Sequence, residues 1–133
     1  MEDDRYVLDT SALLTLIEDE VGADRVEQVL SHSQVIVPWL VLLEAYYITQ
    51  QEQGQAEADR RYALMKKLPA TVAWEADEPI LLTAARLKAI HRLSLADSII
   101  AAFAIRQDAI LLHKDPEFEA LSGQVALEAM PYK

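Results

Sequence analysis

Short apolar runs of strand length alternate with segments of helical period along the whole chain, and that alternation leaves few folds open. The pattern predicts strands over residues 5–8, 34–37, 71–74, 109–112 and 125–129. Between them it predicts helices over residues 11–20, 23–31, 38–53, 55–67, 78–90, 94–107 and 116–121. Pro38 suits the first turn of the third helix, where a missing N–H leaves nothing unpaired. No repeat, low-complexity tract or linker interrupts the series, so residues 1–133 read as one domain. Strands alternating with helices point to a three-layer α/β sandwich, a mostly parallel sheet of four to five strands flanked by helices. In such sheets ligands sit beyond the carboxyl ends of the strands, where the strand order reverses.

Composition narrows the chemistry. The chain has no cysteine, which excludes a disulfide framework, a thiolate zinc site and a cysteine nucleophile. Its start, Met1-Glu2-Asp3-Asp4-Arg5, is the reverse of a signal peptide's basic start. The most apolar run, 35–48, is too short to span a bilayer and contains Glu44. The expectation is a soluble cytoplasmic protein with no membrane contact. A net charge of −10 argues against a nucleic-acid partner, but the charge is uneven. Residues 60–92 hold seven bases, Arg60, Arg61, Lys66, Lys67, Arg86, Lys88 and Arg92, against three acids. That window is either a set of solvated helix faces or a basic face beside an acidic pocket.

Four carboxylates occupy informative places. Asp9 follows the first strand directly and is either a helix cap or a ligand. Glu44 is the one charged side chain in VIVPWLVLLEAYYI, in a helix apolar nearly all round. A carboxylate buried there costs several kcal/mol, on the order expected for unpaired charge, unless it meets an Arg, a Lys or a cation. Asp97 lies three residues after Ser94 in a capping-box pattern and enters the apolar helix Ser98-Ile99-Ile100-Ala101-Ala102-Phe103-Ala104. Asp115 follows the fourth strand and precedes Pro116, which also fits a cap. Like charges 4 Å apart repel by about 4 kcal/mol at an effective dielectric near 20, so a cluster of acids takes up protons or a cation. Hard oxygen ligands without cysteine favour Mg²⁺ or Mn²⁺ over zinc.

Four segments, in this order and spacing, resemble the PIN family and in particular its compact bacterial VapC-type toxins. They are Val7-Leu8-Asp9-Thr10-Ser11-Ala12-Leu13-Leu14, Leu43-Glu44-Ala45, the stretch from Leu95-Ala96-Asp97 to Phe103-Ala104, and Leu111-Leu112-His113-Lys114-Asp115-Pro116-Glu117-Phe118. The resemblance implies a metal-dependent endoribonuclease acting on single-stranded or looped RNA. It assigns Asp9, Glu44, Asp97 and Asp115 to an acidic tetrad holding Mg²⁺ or Mn²⁺, with Thr10 or Ser11 as the supporting hydroxyl. It further implies a homodimer and a small basic antitoxin able to place an Arg among the acids. Arg60, Arg61, Lys66, Lys67 and Arg86 are the candidate RNA contacts. His113 departs from the family's usual Thr or Ser two residues before the last acid, and it bonds the tetrad, ligates the metal or faces away. The alternative that this departure supports is a PIN-like domain that binds RNA or a protein without cutting. A receiver-type domain would need paired acids after the first strand, and a haloacid-dehalogenase-type phosphatase would need an Asp where Ser11 stands.

Overall fold

The computed structural model describes residues 4–132; the acidic start Met1-Glu2-Asp3 lies outside the described residues. Five strands, β1 (Arg5–Leu8), β2 (Gln34–Pro38), β3 (Thr71–Ala73), β4 (Ile110–His113) and β5 (Ala126–Ala129), form one sheet in the order β3-β2-β1-β4-β5. Every neighbouring pair is parallel. Tyr6, Val7 and Leu8 in β1 and Leu111 and Leu112 in β4 are fully or almost fully buried, as unbroken apolar strands of a covered parallel sheet must be.

The crossovers are helical: α1 (Thr10–Ile17) and α2 (Ala23–His32), α3 (Trp39–Gln53) and α4 (Gln55–Met65), then α5 (Glu78–Ile90) and α6 (Leu95–Arg106). A 3-10 helix, Pro116–Leu121, joins β4 to β5. The chain steps one way across the sheet from β1 to β3 and then returns past β1 to β4. Parallel crossovers are right-handed, so the reversal puts α1–α4 on one face and α5–α6 on the other. The reversal point lies between β1 and β4, and the Asp9 N–H donates to the Leu112 carbonyl across it at 3.1 Å.

Local chemistry sets the boundaries. Ser94 caps α6 by accepting from the Asp97 N–H at 3.0 Å, and Asp77 caps α5 by accepting from the Ile80 N–H at 3.0 Å. Gly22 has a φ of +108°, and a Cβ there would sit 3.1 Å from Met130 Sδ, so only glycine fits the start of α2.

Three expectations need correction. The first helix stops at Ile17 rather than residue 20, because the chain turns through a left-handed Asp19 with φ of 54°. Pro38 ends β2 and precedes α3 with an extended ψ of 143°, so it stands outside the helix rather than in its first turn. The helix carrying Glu44 is not enclosed all round, since Leu43 and Tyr47 are 48% and 43% exposed. Among the described residues no helix is long and apolar enough to cross a membrane.

Candidate active site

Asp9 and Asp115 leave the carboxyl ends of β1 and β4, the two strands that flank the reversal. Glu44 comes from the second turn of α3, and Asp97 from the first turn of α6. Asp9 stands in the cap position of α1 but makes no side-chain capping bond there. Its Oδ2 accepts from the Ser11 hydroxyl, and Ser11 Oγ in turn accepts from the Lys114 N–H at 2.9 Å. Ser11 thereby ties the end of β1 to the end of β4. Thr10 Oγ1 donates to Glu44 Oε1 at 2.6 Å. Both hydroxyls therefore hold acids, one each.

Glu44 is half-buried, and among the described residues no Lys or Arg pairs with its carboxylate. The ion-pair explanation for a carboxylate in this helix is thus removed. Asp97, Asp115 and Glu117 each present an oxygen within 4.8 Å of the others. Asp9, only 2% exposed, is pushed up to about 7 by burial, with the charges of Asp97 and Asp115 adding to the effect and the Ser11 hydrogen bond opposing it. Asp97 is pushed up to about 6 by burial, then by the charges of Asp115, Glu44 and Glu117. These mutual influences bring the four carboxylates into one electrostatic unit, with Asp97 feeling the most neighbours.

Glu117 joins this unit although sequence reasoning passed over it. The signal was local: Asp115 Oδ1 accepts from the Glu117 N–H at 3.0 Å, the usual bond of a capping aspartate two residues before. That turn sets the two carboxylates side by side.

His113 is fully buried at the end of β4, and Nδ1 accepts from the Asp115 N–H at 3.1 Å. Its ring packs edge-on against Phe118 at 5.2 Å between centroids. Burial lowers its pKa, which keeps the imidazole neutral. Lys114 points away from the acids, toward the Val21 carbonyl at 3.0 Å and Glu20 at 3.7 Å.

The basic residues of the 60–92 window have varied surroundings. Arg61 is 7% exposed, and its guanidinium is consumed by Glu57 at 2.9 Å and Glu18 at 3.1 Å. It joins α4 to the end of α1 remote from Asp9 and is a correction to the candidate RNA contacts. Arg60 is exposed and binds Glu57 through two nitrogens. Lys66 lies over the Tyr62 ring at 5.7 Å, and Lys67 is exposed. Arg86 lines a hollow with Ile90, Ile105 and Gln124. Ile105 is eight residues along α6 from Asp97, about 12 Å at 1.5 Å per residue.

The donor set fits a divalent cation. All its ligands are carboxylate oxygens, the hard donors that Mg²⁺ and Mn²⁺ prefer. Oxygens of Asp97, Asp115 and Glu117 lie within 4.8 Å of one another, near enough to share one ion. A cation would also offset the burial and the neighbouring charges that raise the Asp9 and Asp97 pKa values.

A sequence profile described as the PIN domain matches residues 6–124, and the chain belongs to that family. No curated protein sequence matches at a significant level. Solved structures with the same fold include VapBC2 from Rickettsia felis bound to a DNA fragment from its promoter, with 14% identity and a TM-score of 0.79, covering 96% of this chain and 99% of that one. VapBC-1 from nontypeable Haemophilus influenzae has 21% identity and a TM-score of 0.73, with 94% and 97% coverage. VapC20 from Mycobacterium tuberculosis, described as a sarcin-ricin loop cleaving toxin, has 17% identity and a TM-score of 0.72, with 95% and 99% coverage. At these identities the likeness is one of fold.

Proposed function

We propose that this protein is a divalent-metal-dependent endoribonuclease and the toxin of a toxin–antitoxin pair. The observation that carries the reading is the cluster of Asp97, Asp115 and Glu117, electrostatically coupled to Asp9 and Glu44, without a basic side chain paired to any of them among the described residues. Membership of the PIN family and the VapBC relatives point the same way.

In this reading Asp9, Glu44, Asp97 and Asp115 hold Mg²⁺ or Mn²⁺, with Glu117 beside them. The ion, when bound, lowers the pKa of water and offsets the charge of a phosphodiester under attack. The chain supplies the rest. Thr10 and Ser11 fix the Glu44 and Asp9 carboxylates, so the acids keep their positions without the ion. The uncompensated acids repel phosphate, which restricts RNA binding to the metal-loaded protein. Lys66, Lys67, Arg86 and, less freely, Arg60 are exposed cations for the flanking RNA backbone. The cytoplasm, where RNA is present, is where the protein acts.

A free RNA-cutting enzyme needs outside control, and a small basic antitoxin fits the acidic pocket. An antitoxin Arg among the four acids would replace the ion's charge through bidentate bonds. A homodimer is supported by the exposed Leu43, Tyr47, Leu64 and Trp74; three of these residues line a hollow of about 400 Å³ with Trp39, Tyr46 and Tyr62, while Leu64 lies outside it. The function is tested by incubating purified protein with structured RNA in Mn²⁺. Cleavage that stops in EDTA and in Asp97→Asn is the expected result. Cleavage unaffected by either would defeat the proposal.

A further inference from the structure

His113 is the residue at which this chain departs from its family's usual hydroxyl, and it stands two residues before Asp115, whose N–H it accepts. Its ring is fully buried between Phe118 and Tyr132. Nδ1 accepts the Asp115 N–H, so this nitrogen carries no proton and Nε2 does. Nε2 is buried and, among the described residues, has no hydrogen-bond partner. A buried donor without an acceptor costs about 1–3 kcal/mol. Leu or Phe would fill the same apolar slot at no such cost. The feature that neither could supply is the acceptor at Nδ1.

That acceptor acts at a sensitive place. The Asp115 N–H that it engages lies just past the end of β4. On its other side, Asp115 Oδ1 is engaged by the Glu117 N–H. The two bonds hold the residue from both ends, one on its backbone and one on its carboxylate. Together they fix the direction in which Asp115 faces Asp97, whose acidity it perturbs directly.

We infer that His113 is a positioning residue, a neutral imidazole that orients Asp115 for cation binding through its Nδ1, in place of a hydroxyl. The inference rests on the metal-dependent reading above and deepens it. A bond of this kind, one step behind a ligand, typically changes metal affinity by about 10- to 100-fold when lost.

The test uses Mn²⁺ alone, titrated into the full chain by calorimetry at fixed pH, with the melting temperature of each variant measured in parallel. His113→Leu removes the acceptor and should bind Mn²⁺ about tenfold or more weakly while melting within a few degrees of wild type. His113→Asn puts an amide oxygen where Nδ1 stands and should stay within about threefold of wild-type affinity. His113→Gln has the same amide one bond further out and should behave like the Leu variant. A stable Leu variant with wild-type affinity overturns the inference. Should the Leu variant fail to fold, the Asn and Gln variants decide it, and equal affinities in those two overturn it. Wild-type protein that binds no Mn²⁺ instead defeats the nuclease reading. Affinity that depends on His113 in a protein that cuts no RNA leaves the positioning role standing and defeats only the activity.

Discussion

Two sets of carboxylates in this small protein have opposite fates. Around Arg25, Glu128 accepts from the guanidinium at 2.6 Å and from the Tyr6 hydroxyl at 3.0 Å, and these bonds lower its pKa. Around Arg60 and Arg61, Glu57 is held down to about 2 by hydrogen bonds from both guanidiniums. At the carboxyl edge of the sheet, Asp9 and Asp97 are driven up instead, by burial and by one another's neighbours. The side-chain chemistry is the same in both places. The difference is that the first set has its cations built into the chain, and the second is held, among the described residues, by hydroxyls and N–H groups. Acids paired by arginine serve the fold, whereas on the proposed reading the acids at the sheet edge serve to bind a cation.

The comparison can be broken first by charge removal at the edge. Asp97→Asn keeps the N–H that Ser94 accepts and the size of the side chain, so the fold should persist. RNA cleavage should fall by at least about a hundredfold, which corresponds to about 3 kcal/mol. The matched change in the paired region, Glu128→Gln, should leave cleavage intact. Equal losses in the two variants would erase the distinction.

Arginine removal should show the reverse pattern. Arg61→Leu keeps the packing but strips Glu57 and Glu18 of their partner, and it should cost about 2 kcal/mol of stability. Mn²⁺ affinity should not change. A thermal melt and a metal titration on the same sample check both halves.

Neutralising an edge acid should stabilise the metal-free protein. Asp9 binds its proton more tightly folded than unfolded, so the native state holds more protons between about pH 4 and pH 7. The stability from this group is complete below about pH 4 and is lost as the pH rises to about 7. Asp97 acts in the same direction, with its loss complete nearer pH 6. At pH 8 without metal, Asp9→Asn should therefore melt higher than wild type by about 4 °C, on the order of 1 kcal/mol. At pH 4 the gain should vanish. A lower melting temperature at pH 8 would mean that the ionised Asp9 is satisfied by the fold.

Glu117 sharpens the edge of the comparison. It is exposed and lies at the rim of the cluster, so Glu117→Gln should weaken Mn²⁺ by only about threefold, the smallest of these effects. A loss as large as that of Asp97→Asn would move it to the centre of the site.

The fold was legible in the sequence because period and punctuation agree almost everywhere. Unbroken apolar runs marked β1 and β4, and Ser94 announced α6, while the Asp77 cap of α5 emerged only from the structure. The early stop of α1 was not legible, since a left-handed Asp19 depends on the turn that follows rather than on its own type. The four acids could be named because each stands against its local pattern: Glu44 in an apolar helix, Asp97 ahead of one, Asp9 and Asp115 at strand ends. Arg61 and His113 could not be read in this way. One is an ordinary base of a polar helix whose partner, Glu18, lies 43 residues away. The other depends on which ring nitrogen meets a neighbouring N–H, and no periodicity carries that information.

On the proposed reading the edge acids, raised by burial and by their charged neighbours, exchange protons for a cation near neutrality. The most direct measurement is the number of protons released when Mn²⁺ binds at pH 6, from calorimetry in buffers of different ionisation enthalpy. Metal binding must displace the protons held by Asp9 and Asp97, so the account predicts about one proton released per ion, falling toward zero at pH 8.5 and reduced in Asp9→Asn. Binding with no proton release at pH 6, or no binding at all, would contradict it.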